Sequence, residues 1–350
     1  MAFMFAKHRI YRSIVNGVFF AVLLSLCGCF TGGIPRLRLG CYPTSTPGTR
    51  FIDPNHLGPH SYDYNFFEKN GIIYTCRGGH IDITHLRIAA DHTRYLARKV
   101  RYQLIKGNEN FSFRQVAEPS VYHVKINYPE NWNQLIWQEK TKIADEISPR
   151  LGQYLAFTSS TWHEILTWFG YKCMAVIPES PSAFSWEDIY SNVMGTDLGA
   201  RAVADRKHPY DKAMTILLDN EVKKLDGRSA HTAFMAAETK RGQWFTGTVA
   251  VDMKRRNFDI GTDDGFISPV LNETICPGTE PFLYPAPNME FLSEYGFGFS
   301  IEIEPKEWEQ GAILKIVFPD GQKDRISPPQ HFPVIMDFIK RQAADYGYTF

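Results

Sequence analysis

The sequence predicts an α+β fold in which a mainly helical N-terminal part precedes a smaller C-terminal part that contains strands. Three observations predict it. Long stretches with helical periodicity fill the chain before Gly242, and strand-like apolar stretches follow it. No repeat of about 20–50 residues indicates a solenoid or a propeller. Of the 350 residues, 44% are hydrophobic and 22% are charged, which excludes a wholly disordered chain.

The first 28 residues have the pattern of a secretory signal peptide. Lys7, Arg9 and Arg12 form a positive segment, and the apolar stretch 14–26 is shorter than the roughly 20 residues that a spanning helix needs. The stretch ends in Leu26-Cys27-Gly28-Cys29, which resembles a bacterial lipobox. We therefore expect removal of residues 1–28 and attachment of lipid, including palmitate, to Cys29. An uncleaved signal anchor is the alternative.

The residue after Cys29 predicts the compartment of the protein, and the net charge of the chain limits the class of its partners. Phe30 stands where lipoproteins that stay at the inner membrane usually have Asp, so outer-membrane sorting is expected. Lys+Arg and Asp+Glu both number 38, and this balance excludes a nucleic-acid binder with a basic excess. We expect a periplasm-facing, lipid-anchored envelope protein whose ligand is a lipid, peptidoglycan or a glycan.

The four cysteines after Cys29 predict disulfides. Cys41, Cys76, Cys173 and Cys276 would meet an oxidising compartment. Four cysteines allow three pairings, and the spacing does not choose among them.

The elements follow in chain order. Residues 29–70 form the anchor, a tether and an irregular segment, since Asp53-Pro54 and Gly58-Pro59 prevent long helices. Residues 71–242 form a helical core, and residues 243–350 form a mixed part. Helices are predicted at 82–105, about 132–169, 185–206, 212–225, 230–240 and 332–346, and strands at 120–128, 246–253, 296–305 and 311–319.

The first polar cluster begins at Gly78-Gly79, which allow a sharp turn into the helix. Asp82, His85 and His92 share one helical face, and His80 precedes it. Imidazoles beside a carboxylate bind a divalent metal or form an acid–base pair, so His80, Asp82 and His85 are the metal candidates. Asp82 acting only as a helix cap is the alternative.

Basic residues flank this cluster. Arg77, beside the two glycines and a helix start, is the candidate anion-binding residue. Along the same helix, Arg87, Arg94 and Arg101 follow heptad spacing with Asp91 between them. We interpret that face as solvated.

The second and third clusters lie on later helices. His163 and Glu164 interrupt an apolar helix, where a buried carboxylate is costly unless it is paired. Thr167 replaces the second histidine of H-E-x-x-H, which excludes that zinc-protease motif. Asp188, Asn192, Gly195 and Gly199 share one helical face, and the two glycines let another helix approach closely. Ser185 is the expected N-cap of that helix.

Three stretches carry a resemblance to a family of uncharacterised bacterial envelope lipoproteins, a domain of unknown function. They are YTCRGGHIDITHLR (74–87), LAFTSSTWHEILTWFGY (155–171) and FSWEDIYSNVMG (184–195). More distantly, the helix with D-x-x-x-N-x-x-G-x-x-x-G and an upstream Glu resembles VanZ-like proteins. The early Asp-x-x-His is one residue shorter than theirs, and their spanning helices are missing. This resemblance implies that Asp82, His85, Glu164, Asp188 and Asn192 converge in a helical core.

We therefore expect an envelope hydrolase, metal-dependent or acid–base, whose catalytic residues are His80, Asp82, His85, His163, Glu164 and Asp188. His85 or Glu164 would be the general base, and Asp82 or Asp188 would orient it or bind metal. Arg77 and Asn192 would bind the ligand. The alternative is a non-catalytic binding or scaffold lipoprotein whose polar clusters are hydrogen-bond networks that fix helix packing.

Overall fold

The computed structural model describes residues 34–38, 40, 42–116, 118–173, 177–178, 182–248 and 251–350. The predicted signal peptide, Cys29 and Cys41 lie outside these residues. Within them, no helix combines the length and the apolar character that crossing a membrane requires.

Three long helices form the centre of the fold and pack against one another: α1 (Ile83–Lys106), α2 (Trp137–Trp168) and α3 (Asp188–Ala204). Helix α1 begins where the Asp82 carboxylate accepts the amide of Thr84, and it ends at Gly107, whose φ is 70°. Helix α2 continues through Pro149. The three predicted helices are confirmed, although α2 starts about five residues and α3 three residues later than expected.

Glycines set how closely α3 approaches α1. A methyl group added at Gly195 would lie 2.2 Å from the Leu86 carbonyl oxygen, and one added at Gly199 would lie 2.7 Å from the Ala90 oxygen. No larger residue fits without moving backbone, so these two positions bring the helices together. The predicted role of both glycines is confirmed.

Shorter helices surround this centre. They are α4 (Tyr210–Lys224), α5 (Ala230–Glu238), α6 (Gln310–Val317) and α7 (Pro328–Asp345), with 3₁₀ turns at Pro54–His56, Trp132–Gln134 and Glu290–Tyr295. The strand predicted at 311–319 is wrong, because α6 occupies it. Ile313, Leu314 and Val317 fall on one helical stripe, and α6 packs with them against α7.

The strands form small antiparallel sheets. Six strands form two sheets of three: β1 (Ile72–Thr75), β2 (Gly79–Asp82), β3 (Asn110–Phe113), β4 (Val121–Asn127), β7 (Gly227–Arg228) and β12 (Gly298–Glu304). One sheet has the order β2-β1-β7, and the other has the order β12-β4-β3. The two-residue strands β5 (Lys172–Cys173), β6 (Ile177–Pro178), β8 (Phe245–Thr246), β9 (Asp252–Met253), β10 (Phe266–Ile267) and β11 (Tyr284–Pro285) form three further pairs.

A strand from the end of the chain completes a sheet begun much earlier. β12 pairs with β4 so that Ile301 faces Val124. The strands predicted at 120–128 and 296–305 are confirmed. Of the stretch 246–253, the residues that the structure describes contain strand only in β8 and β9. The division of the chain near residue 242 stays a prediction about domains, and this sheet joins its two sides.

One disulfide joins distant parts of the described chain. Cys76, in the turn just after β1, is bonded to Cys276, and their Cα atoms are 5.5 Å apart. Tyr74 adds to this junction, since its hydroxyl donates to the Asn272 carbonyl at 3.3 Å. The disulfide therefore ties the β1–β2 hairpin to the loop around residue 276.

Candidate functional site

Three of the predicted site residues meet at one imidazole. His85 Nδ1 lies 2.9 Å from Asp188 Oδ1 and 3.2 Å from Asp82 Oδ2. Both carboxylates are buried, whereas 33% of the His85 side chain is exposed. The histidine thus joins a buried acidic pair to the surface of the described structure.

Each carboxylate divides its two oxygens between a helix start and His85. Asp82 Oδ1 accepts the Thr84 amide at 2.6 Å, which caps α1 and leaves Oδ2 for His85. Asp188 Oδ2 accepts the amide and the hydroxyl of Ser185 at 3.2 and 2.7 Å, which leaves Oδ1 for His85. Two helix N-termini therefore converge on the imidazole, and Asp82 is both the predicted cap and a site residue.

Ser185 is not the N-cap that the sequence predicts. Helix α3 begins at Asp188, and the residues just before it form a turn. Ser185 instead holds the Asp188 carboxylate. Ser191 makes a second link, since its hydroxyl accepts the Asp82 amide at 3.0 Å and donates to the Glu187 carbonyl at 2.7 Å. Sequence analysis missed this role of Ser191, because serine within a helix carries no signal for it.

The two carboxylates control the charge of His85. Burial favours the neutral imidazole, but Asp82 and Asp188 outweigh it and raise the pKa of His85 well above its usual value. The ring is therefore an imidazolium at neutral pH.

Residue 40 lies against the other side of the ring. A methyl group added at Gly40 would lie 2.9 Å from His85 Nε2 and 3.4 Å from Asp82 Oδ2. Gly40 thus lies over the imidazole. No sequence signal could have placed Gly40 there, because the contact spans irregular chain.

Two further acids adjoin this group. Glu164 Oε2, on α2, accepts the Phe184 amide at 2.7 Å. Burial and the nearby charge of Asp188 raise the pKa of Glu164 to about 7. The same two causes raise the pKa of Glu187 well above its usual value, and its Oε2 has no hydrogen-bond partner among the described residues. Glu187 is not among the site residues that the sequence predicts, because its place beside Asp188 depends on the turn before α3.

We call Asp82, His85, Glu164, Glu187 and Asp188 the acid–imidazole cluster. It combines an imidazole of raised pKa with two carboxyl groups of raised pKa, those of Glu164 and Glu187, which is the composition of an acid–base centre. Asn192 follows Asp188 by one turn of α3 and is 6% exposed.

His80 does not belong to this cluster. Its Nδ1 accepts the Trp186 indole N–H at 3.3 Å, and its Nε2 donates to the Ala233 carbonyl at 3.1 Å. Burial lowers the pKa of His80 to about 4, so it is a neutral core histidine. The predicted metal set of His80, Asp82 and His85 is therefore not brought together. Within the described ranges, no three His, Cys, Asp or Glu side chains form a group able to hold a metal ion.

His163 also has a separate partner, although it precedes Glu164 in sequence. Its Nδ1 lies 2.7 Å from Glu118 Oε1, and the Tyr122 hydroxyl donates to Glu118 Oε2 at 3.1 Å. Sequence analysis missed Glu118, which lies in irregular chain before β4. His163 and Glu118 thus form a second histidine–carboxylate pair.

Arg77 is not at the start of a helix. Gly78 and Gly79 close the hairpin between β1 and β2, and the Gly78 amide donates to Thr75 Oγ1 at 3.0 Å. The Arg77 guanidinium lies 5.5 Å from the centre of the Phe282 ring. The structural basis of the predicted anion site, glycine amides at a helix N-terminus, is therefore wrong.

The interpretation of the α1 arginine face as solvated is also wrong for two residues. Arg87 is fully buried and donates to the carbonyls of Lys69 and Leu57. Asp91 is buried too, and it accepts hydrogen bonds from Arg38 at 2.7 Å and from the Tyr210 hydroxyl at 3.1 Å. Irregular chain before β1 covers this face, which periodicity along α1 could not reveal.

Comparison with known proteins gives a family and no described activity. A family model described as "Protein of unknown function (DUF4056)" matches residues 49–264, which is more than half of the chain. The match includes the whole acid–imidazole cluster. No curated protein and no solved structure matches the chain.

Proposed function

The chain belongs to the DUF4056 family, and we propose that it is a lipid-anchored envelope hydrolase whose acid–base centre is the acid–imidazole cluster. One observation carries the catalytic part of the proposal. A partly exposed imidazole contacts two buried carboxylates through Nδ1, whereas its Nε2, which lies next to Gly40, does not contact them.

The protonation states assign the roles. His85 is charged at neutral pH, so it acts as the general acid, and Asp82 and Asp188 orient it. Glu164, whose pKa is raised to about 7, is the general base. In the proposed step, Glu164 takes a proton from water, the water oxygen attacks the scissile centre, and His85 protonates the leaving group. Of the two bases that the sequence suggests, the pKa directions favour Glu164.

The envelope part of the proposal rests on the N-terminal sequence. The positive segment, the short apolar stretch and Cys29 after Gly28 support a lipid anchor and a periplasm-facing place at the outer membrane. Phospholipids, peptidoglycan and glycans are the substrate classes in reach there. Labelled palmitate should enter the wild-type chain, and label that persists in Cys29→Ala would contradict this anchor.

The catalytic proposal is tested on the full chain with His85→Asn and Glu164→Gln. Hydrolysis of a panel of phospholipid, peptidoglycan and glycan substrates should fall about 100-fold or more in each variant. His231→Asn is the matched control, because His231 is exposed on α5 and lies outside the cluster. Full activity in both test variants, with circular dichroism unchanged, would reject the acid–base centre.

A binding or scaffold lipoprotein is the second candidate. It is favoured by His80, Arg87 and Asp91, which are buried polar residues with their partners inside the core. If the acid–imidazole cluster is structural as well, His85→Asn should cost several kcal/mol of unfolding free energy, since it leaves buried carboxylates unpaired. Because the charged imidazole stabilises the fold in either case, only loss of hydrolysis by the folded variant separates a catalytic cluster from a structural one.

A further inference from the structure

We propose that residues 62–68 form a membrane-docking loop, which inserts Tyr64, Phe66 and Phe67 into the interfacial layer of the bilayer that holds the lipid anchor. The inference rests on the proposed function for the anchor at Cys29. It adds a second membrane contact, made by the folded chain itself.

The aromatic side chains at the tip of this loop face outward. Tyr64, Phe66 and Phe67 are 55%, 85% and 76% exposed, and the rings of Tyr64 and Phe66 pack edge to face at 4.6 Å. Adjacent aromatic side chains of this exposure are unfavourable in water, because their apolar surface remains hydrated. Aromatic rings are enriched at the headgroup level of membranes, where this surface is covered.

The base of the loop is held firmly. The Ser61 amide donates to Glu68 Oε2 at 3.0 Å, and the Tyr62 amide donates to Asp211 Oδ1 at 3.0 Å. The Lys69 amide donates to the Leu57 carbonyl at 2.9 Å. The fold therefore presents the rings on a fixed support, which lowers the conformational entropy lost on docking.

The first described residues of the chain contact the base of this loop. Arg36 donates to the Ser61 carbonyl at 3.4 Å and is ion-paired with Glu68, and Arg38 Nε lies 2.9 Å from Glu68 Oε1. Cys29 precedes Arg36 by only seven residues in the sequence. At full extension these residues span at most about 25 Å, so a lipid on Cys29 would be attached within that distance of Arg36 and the base of the loop.

The charges beside the loop suit a phosphate-bearing surface. Lys69 and Arg98 are exposed cations, and Arg98 lies close enough to Tyr62 to influence its hydroxyl. Asp63 is an exposed acid within the loop. The two cations can meet lipid phosphates while the rings enter the interface, a combination that strengthens attachment beyond a lipid anchor alone.

Photo-crosslinking of the full chain tests the loop directly. p-Benzoylphenylalanine is placed at Phe66, or at Phe67, and the protein is reconstituted into vesicles of phosphatidylethanolamine and phosphatidylglycerol. The matched control carries the same group at Trp308, which is 100% exposed and lies between β12 and α6. Lipid adducts should form at residues 66 and 67 and be at least tenfold fewer at residue 308.

Two results would contradict the proposal of a membrane-docking loop. Equal lipid labelling at residues 66 and 308 would show contact without preference. Adducts of residue 66 only with a second copy of the chain would assign the rings to self-association.

Mass analysis of Cys29 in the same samples separates this inference from the proposed function. Lipid adducts at residue 66 in a chain without lipid on Cys29 would support the membrane-docking loop and contradict the lipid anchor. Lipidated protein without such adducts would reject the loop alone.

Discussion

His85 Nδ1 lies 2.9 Å from Asp188 Oδ1, and this contact joins the first turn of α1 to the first turn of α3. Asp82 contacts the same nitrogen from the strand that precedes α1. The imidazole is therefore held at the meeting point of two helix starts. The charge state of the His85 ring therefore depends on both carboxylates.

Asp188→Asn should lower the pKa of His85 by about one unit or more, because it removes one of the two charges that stabilise the imidazolium. NMR titration of the His85 ring measures this, with the resonance assigned by its loss in His85→Asn. Asp205→Asn is the control, since Asp205 contacts His208 instead. An unchanged pKa of His85 in Asp188→Asn would contradict the proposed coupling.

The raised pKa of His85 also makes stability depend on pH. The folded state holds this proton more tightly than the unfolded state, so the stabilisation is fully present below the unfolded pKa of about 6.5 and is lost as pH rises through the folded pKa. The unfolding free energy of the wild type should therefore fall on the alkaline side. Denaturant titrations across this range should show a smaller fall in Asp188→Asn.

Glu164→Gln should flatten the stability profile between pH 4.5 and 7. In the wild type, the folded state keeps the Glu164 proton up to about pH 7, whereas the unfolded state releases it near 4.5. Stability contributed by the neutral acid thus falls as pH rises through this window, by up to about 3 kcal/mol. Denaturant midpoints at several pH values measure it. Glu273→Gln, at an exposed position, is the control. Identical stability profiles for Glu164→Gln and the wild type would contradict the raised pKa of Glu164.

Gly195→Ala should destabilise the protein by about 2 kcal/mol or more, because the new methyl group meets the Leu86 backbone at 2.2 Å. Urea unfolding measures the change. Gly311→Ala is the matched control, since nothing lies within 4 Å of the added group and alanine favours the helix by up to about 1 kcal/mol. Equal stability of the two variants would argue against the close contact of α1 and α3.

Gly40→Ala should disturb His85 while leaving the core intact. Its methyl group would lie 2.9 Å from His85 Nε2, so the ring or the segment around residue 40 must shift. We expect a changed His85 chemical shift and pKa in NMR spectra, with an unfolding free energy within about 0.5 kcal/mol of wild type, as for other surface changes. Gly311→Ala is again the control, because nothing lies within 4 Å of the added methyl group. An unperturbed His85 would show that residue 40 does not contact the ring.

Much of the helical framework could be predicted because its signals are local. Asp82 and Gly107 delimit α1, and the spacing of Gly195 and Gly199 predicts close helix packing. Strand β4 follows from alternation. The errors occur where tertiary contact overrides local pattern, as in α6, whose apolar residues suit a strand or a helix and pack as a helical stripe against α7.

The candidate site was predictable as a set of residue types, and only in part as a constellation. The sequence indicates polar residues on three apolar helices, and Asp82, His85 and Asp188 do meet. It cannot show that His80 is hydrogen-bonded to Trp186 and Ala233, or that His163 pairs with Glu118. These partners come from elements that are distant in the sequence. His80 and His163 are close in sequence to members of the acid–imidazole cluster, but each belongs to a separate hydrogen-bond network.

By itself, the sequence determined the α+β class, the presence of the main helices, both ends of α1, and the glycines through which α3 approaches α1, because caps, periodicity and side-chain size act over a few residues. The tertiary structure decided the partner of each histidine, the burial of Arg87 and Asp91, and the pairing of Cys76 with Cys276. These depend on contacts between segments far apart in the chain. The charge of His85 belongs to the same class, since it arises only when a second helix brings Asp188 to its ring.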